Sequence, residues 1–353
     1  VATATLLELA TRHHAARASL AEKTTLKALK TFRHTNLDFL DVSWTAIAPF
    51  LVADVKAAQL EAAQQAIPYM TSVADAYGGS PKQASLVPEA FTGVTLDGRE
   101  LAPAMFGAIT ETKTLIGKGW APERAFETGA AFLATVVKTA VADMGRQADN
   151  TLSTGKGWTH YIRVISAGAC SRCAILAGSS SNAKPFKRHP NCKCTAIPEN
   201  GERTPEGFFH GPNDYFESLS PAEQDRVFTE AGAFAIRNGA DPIQVVNARR
   251  GAYGIGYNAR TVPGAGRNQL QKLTIGKKAN GSPLQVYATT EGTTARGRFG
   301  RGELSAGGTS TKGDGERYRR STTLRLMPEQ IQIMAGDNPA RARELLQRYG
   351  YLD

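Results

Sequence analysis

The residues best suited to chemistry in this chain lie close together. All four cysteines fall within 25 residues, in Cys170-Ser-Arg-Cys173 and in His189-Pro-Asn-Cys192-Lys-Cys194. A C-x2-C turn aims two thiolates at one point. A second pair after a loop of fifteen residues completes a tetrahedral sulfur/nitrogen set, so Cys170, Cys173, His189, Cys192 and Cys194 are the candidate metal ligands. Five donors compete for four positions. The spacing favours Cys170 and Cys173 plus two of the other three. Thiolate and imidazole donors with no open position suit structural zinc. Two disulfides or inert core thiols are the alternatives. The first weakens because the N-terminus, VATATLLELATRHHAARASL, has no basic region followed by an apolar core and does not read as a secretory signal. Catalytic zinc would need an acid or base nearby, and Glu199 is the nearest carboxylate downstream.

The other chemistry-bearing residues are scattered. His13, His14 and His34 sit in helical sequence and read as solvated or packed. His160 lies in a strand-like run beside the cysteines, and His210 in a loop. No G-x-S-x-G, Walker loop or paired-carboxylate spacing occurs, which leaves no catalytic residue to nominate.

Charge singles out a second region. The 353 residues carry 42 Lys+Arg and 32 Asp+Glu, a net of +10. Residues 1–240 net +1, residues 241–325 net +10 and residues 326–353 net −1, so the whole excess lies in one stretch. Within it Thr289–Ser321 is rich in Gly, Ser, Thr and Arg and almost devoid of apolar residues, which predicts an extended basic arm unable to fold alone. Arg296, Arg298, Phe299, Arg301, Lys312, Arg317, Arg319 and Arg320 are its candidate DNA- or partner-binding residues. Phosphate neutralisation and docking on an acidic protein fit this composition equally.

The elements that must position these residues are mainly α. Periodicity predicts a helix to about Phe32, a second over Val42–Val73 with Pro49 and Pro68 as kinks or breaks, a third over Leu101–Ile116 and a fourth over Pro122–Asn150. Trp158–Ile165 reads as a short strand. Ser220-Pro-Ala-Glu223 predicts a capped helix running to Asn238 and stopping at Gly239. Asp241-Pro242 starts another over Ile243–Arg250. Pro328–Ala335 and Pro339–Tyr349 close the chain, with Asn338 as cap and Gly350 as stop. The division that results is a helical domain over 1–155, a small zinc-stapled α+β module with a helix pair over 156–252, the basic arm over 253–325 and C-terminal helices over 326–353. No stretch reads as a membrane span.

The segment C-x2-C-x2-L-x-G at Cys170–Gly178, with Phe186 and His189-Pro-x-Cys192-x-Cys194, resembles the Mu F-like minor head (head morphogenesis) proteins of tailed bacteriophages. Pro221–Gly251 is similar to the segment that follows the cysteines in the actinobacterial-phage members. The likeness covers about Trp158–Gly251. It implies a low-copy structural protein of the virion, inside the head, on the portal or the inner surface of the major capsid protein and beside packaged double-stranded DNA. It also implies assembly in the host cytoplasm and no membrane. Some family members carry fused enzymatic or toxin domains, but the residues after Gly251 show none, so no activity is carried over and the chain is expected not to be an enzyme. The family's Cys/His positions fall on Cys170, Cys173, His189, Cys192 and Cys194. The competing expectations are a zinc-knuckle nuclease and a plain DNA-binding module.

Overall fold

The computed structural model describes residues 3–78, 82–165, 168–183, 186, 194–199, 207–249, 252–253, 260–261, 270–277, 283–291, 310–311 and 320–352. The described fold is mainly helical, as the sequence predicts. The chain divides into two compact units, one of residues 1–169 and 177–210, the other of residues 170–176 and 211–353.

The first unit opens with α1 (Thr3–Phe32), α2 (Leu40–Gln64), α3 (Ala66–Tyr77), α4 (Leu101–Gly117) and α5 (Pro122–Gly155). On α1 the buried positions Leu6, Ala10, His13, Arg17, Ala21, Thr24, Ala28 and Phe32 recur every three or four residues and form one face. That face meets Leu51, Val55 and Ala62 of α2, Met105 and Ile109 of α4, and Leu133, Val137 and Val141 of α5 in the main cores. By length and hydropathy α5 also matches a membrane span, the one such helix among the described residues. Here one face of it is buried, at Ala125, Leu133, Val141, Ala148 and Leu152 among others. It approaches α4 closely at Gly129, where a Cβ would fall 2.1 Å from Thr112 Oγ1 and 2.6 Å from the Ala108 carbonyl oxygen.

The predicted second helix divides, but not at both prolines. Pro49 lies inside α2 and the helix continues through it. The break comes at Gln65, just ahead of Pro68. Pro68 lacks the N–H that would bond the Gln64 carbonyl, and its ring crowds that turn. In the first turn of a new helix a missing N–H costs nothing.

A three-stranded antiparallel sheet completes the unit, with β1 (His160–Ile165) between β2 (Gly178–Ser181) and β3 (Cys194–Glu199). It is joined to the helices by apolar packing of Trp158, Val164 and Ile197. Tyr69 donates to the Ala196 carbonyl at 2.7 Å and Tyr77 to the Pro198 carbonyl at 3.0 Å.

The second unit contains the single-turn α6 (Ser171–Ala174), then α7 (Pro212–Glu217), α8 (Pro221–Phe228), α9 (Glu230–Arg237) and α10 (Pro242–Ala248). The capping box is present: Ser220 Oγ accepts from the Glu223 N–H at 3.4 Å and Glu223 accepts from the Ser220 N–H at 3.0 Å. The single helix predicted over Pro221–Asn238 is interrupted, however. Thr229 adopts φ +68°, ψ 158°, ends α8, and caps α9 by accepting from the Gly232 N–H at 3.3 Å. Strained backbone of this kind costs on the order of 1–3 kcal/mol. It lets the chain turn so that Phe228 and Ala231, Ala233 and Ala235 are all buried.

The stretch predicted to be an extended basic arm is partly a sheet. After the short pair β4 (Ala252–Tyr253) and β5 (Arg260–Thr261), strands β6 (Leu270–Lys277), β7 (Pro283–Glu291), β8 (Ser310–Thr311) and β9 (Arg320–Leu326) pair antiparallel in the order β6-β7-β9-β8. The average composition of 70 residues conceals two β-prone runs, around Thr274-Ile275 and Val286-Tyr287. Helices α11 (Pro328–Ala335) and α12 (Pro339–Arg348) follow as predicted. Asn338 accepts from the Arg341 N–H at 3.1 Å, and Gly350 takes φ +67° at the stop.

Candidate functional site

Cys170 is the exposed N-cap residue of α6 and Cys173 is buried three residues later. The Cys173 N–H bonds the Cys170 carbonyl at 2.9 Å, so the C-x2-C pair shares one turn. Cys194 is the buried first residue of β3, opposite Ile165, and belongs to the first unit. Its carbonyl accepts from Arg146 Nε at 3.4 Å. His189 and Cys192 lie outside the described residues. Among the described residues no group of three His, Cys, Asp or Glu side chains comes together as a metal site. Of the arm residues, Arg296, Arg298, Phe299, Arg301, Lys312, Arg317 and Arg319 lie outside the described residues. Arg320 begins β9, opposite Glu291 of β7 and Thr311 of β8.

The most concentrated buried polar cluster is one the sequence reading did not nominate. Asp149 of α5 accepts two bonds from Arg17 of α1, at 2.5 and 3.2 Å, and contacts His13 Nε2 through both oxygens at 3.1 Å. Arg17 also donates to the Ala62 carbonyl at 3.1 Å. The His13 ring stacks on Tyr69 with centroids 3.9 Å apart and planes 7° from parallel. Gly145 makes room, since a Cβ there would fall 2.3 Å from Arg17 Nε.

The electrostatics follow from burial and pairing. Burial pushes the Asp149 carboxyl up, but the Arg17 guanidinium, with His13 second, outweighs it and holds the group well below the usual carboxylate range. Burial, more than the neighbouring Arg17 charge, lowers His13 below its ordinary value despite the pull of Asp149. His13 is therefore a neutral donor at pH 7, with its proton on Nε2 as the carboxylate requires. Burial likewise raises Tyr69 well above its ordinary value, and the Asp149 charge adds to this. Both Asp149 oxygens thus accept from Arg17 and His13. The cluster ties α1 to α5. A narrow cleft beside it is lined by Asp149, Arg146, Asn150, Ser153, Tyr161 and Asn182 among others. There Asn182 donates to Ser153 at 3.1 Å and to the Trp158 carbonyl at 2.8 Å.

One signal could have revealed this cluster. His13 and Arg17 occupy positions on the buried stripe of α1 where apolar residues are expected, between Ala10 and Ala21. A polar residue in register with a core face needs a partner on the facing helix.

The second unit has a comparable centre. Arg325, fully buried on β9, donates to the Tyr349 carbonyl at 2.8 Å, the Gly350 carbonyl at 2.6 Å and Gln244 at 3.3 Å, and lies 3.8 Å over the Tyr351 ring. It satisfies carbonyls at the end of α12 that no helical N–H can reach. Arg249 pairs with Glu329. These two cations of the basic stretch therefore serve the fold.

Comparison of the chain with protein-family models, with curated proteins and with solved structures finds no match.

Proposed function

We propose that the chain is a structural minor head protein of a tailed bacteriophage, of the Mu F-like kind. In this reading it lies inside the head against the portal or the inner capsid surface and is assembled in the host cytoplasm. The observation that carries it is the C-x2-C-x15-H-x2-C-x-C spacing followed by the Pro221–Gly251 segment. A helical body tied together by buried polar bonds such as Arg17–Asp149 is in keeping with an assembly role.

Structural zinc belongs to the same reading. The donor chemistry fits, because Cys170 and Cys173 share one turn, and two thiolates three residues apart converge on a single ion. The remaining positions would be filled by two of His189, Cys192 and Cys194. Bound there, zinc would supply closed tetrahedral crosslinking and no Lewis-acid chemistry. The basic excess around Arg296–Arg320 would contact packaged DNA or an acidic surface of the portal or capsid.

The deciding experiment is mass spectrometry and cryo-electron microscopy of purified particles containing this chain. Density for it at a few copies, at the portal or inner shell, is the expected result. Absence from both procapsids and mature heads, or DNA cleavage by the purified protein with Mg²⁺ that is lost in His160→Ala, would overturn the reading.

A further inference from the structure

The sheet of the first unit brings together groups that the structural reading does not use. His160 on the central strand is the register partner of Ser181 on one side and Glu199 on the other, so the three share one face. Two positions along β2, on the same face, Ser179 reaches over β1 to donate to Glu199 Oε1. Glu199 is 5% exposed, and its second oxygen, Oε2, is buried with no hydrogen-bond partner. No cation pairs with it among the described residues. The nearest strand arginine, Arg163, alternates to the other face, where it lies 3.8 Å over the Phe186 ring. A buried carboxylate oxygen left in this state is costly unless a positive charge meets it.

We propose that Glu199 and His160 hold a divalent metal ion on this face of the sheet. Glu199 Oε2 supplies the anionic donor. His160 shares its Nδ1 with Thr159 Oγ1 at 2.9 Å. With the proton on Nδ1 donated to the hydroxyl, Nε2 carries the lone pair, the arrangement usual in metal-bound imidazoles. Ser179 fixes the carboxylate through its other oxygen. The Ser181 hydroxyl, which accepts from the Ala183 N–H at 3.3 Å, is a neutral oxygen beside them. Tyr77 is pushed up to about 12, first by burial and then by the negative charge of Glu199 close by. A carboxylate, an imidazole and a hydroxyl suit a borderline divalent ion such as Mn²⁺, and none of these donors belongs to the cysteine segment. This site is therefore distinct from the proposed zinc and does not depend on the virion reading.

The test is a Mn²⁺ titration of the zinc-replete full chain, followed by electron paramagnetic resonance, with thermal midpoints measured in parallel. One Mn²⁺ per chain and a raised midpoint are expected for the unsubstituted protein. Glu199→Gln, which keeps the Ser179 bond, is expected to weaken Mn²⁺ binding at least tenfold. His160→Gln alters only a half-buried position and leaves the sheet folded, so it tests the idea even if the first variant fails to fold. It is expected to weaken binding as well. No Mn²⁺ binding, or binding unchanged in His160→Gln, would overturn the proposal. A Glu199→Gln protein that gains stability while Mn²⁺ leaves the midpoint of the unsubstituted protein unmoved would assign the charge balance to a proton and overturn it too.

Discussion

Asp149, with both oxygens saturated by Arg17 and His13, ties α1 to α5 across more than 130 positions of sequence. Removing one partner of a buried ion pair leaves the other uncompensated, typically at about 3–5 kcal/mol. Asp149→Asn should therefore lower the unfolding free energy of the first unit by about that amount, as denaturant titration would measure. The joint replacement Arg17→Met, Asp149→Leu should cost less than the single change. The same cluster sets an acid response. A histidine whose folded pKa lies below its ordinary value contributes stability above that value and loses it as pH falls, because the unfolded chain then binds the proton first. For His13 the loss begins near pH 6.5 and continues downward. Asp149, also depressed, adds a second loss below about pH 4. The thermal midpoint should fall from pH 7 to pH 5 and again below pH 4. His13→Gln, which retains a donor to Asp149, should flatten the first fall and keep the second. Sequence alone leaves His13 as solvated or packed and does not give its partner. The partner is a long-range fact, written only in the polar interruption of the apolar stripe.

At the scale of elements, the sequence is most legible where local physics decides. Pro122 at a first helical position, the Ser220/Glu223 box, the Asn338 cap and the Gly350 stop all stand where side-chain chemistry puts them. It is less legible where packing overrules local preference. A β-branched residue such as Thr229 seldom takes positive φ, so nothing in TEAGAFAIRN announces a break. Strands β6 and β7 are hidden for another reason: their two short β-prone runs sit in glycine- and arginine-rich surroundings that dominate any long window. Close approach is a further element-scale property. Gly129 lets α5 lie against the Ala108 carbonyl of α4, and this backbone oxygen cannot swing aside as a flexible side chain would. Gly129→Ala gains helix propensity of roughly 1 kcal/mol but forces the helices apart, at about 1–3 kcal/mol for overpacking. The clash at 2.1 and 2.6 Å puts the net effect on the destabilising side. Gly117→Ala, in open space at the end of α4, should be neutral or stabilising in the same thermal assay.

At the scale of the molecule, the net charge of +10 separates into cations that hold the fold and cations that remain for partners. Arg325 is enclosed by the Tyr349 and Gly350 carbonyls, and Arg249 is paired with Glu329, so neither can neutralise a phosphate. Arg325→Met should destabilise the second unit, because it removes at once the donor to the Tyr349 and Gly350 carbonyls and to Gln244. Its effect on any nucleic-acid binding would then be indirect. Arg296, Arg298 and Arg301 lie between β7 and β8, in a segment with only one acidic residue, Glu303. Each cation that contacts duplex DNA adds about 0.9 to the slope of log affinity against log salt. If these three arginines contact packaged DNA, replacing all three with alanine lowers that slope by up to about 2.7 and leaves the thermal midpoint unchanged. Fluorescence anisotropy with random-sequence duplex at several salt concentrations measures it. An unchanged slope, with binding to portal or capsid protein lost instead, would place the arm on a protein surface. The two outcomes are separable because the two binding assays read different partners, while the cations that stabilise the second unit are left in place.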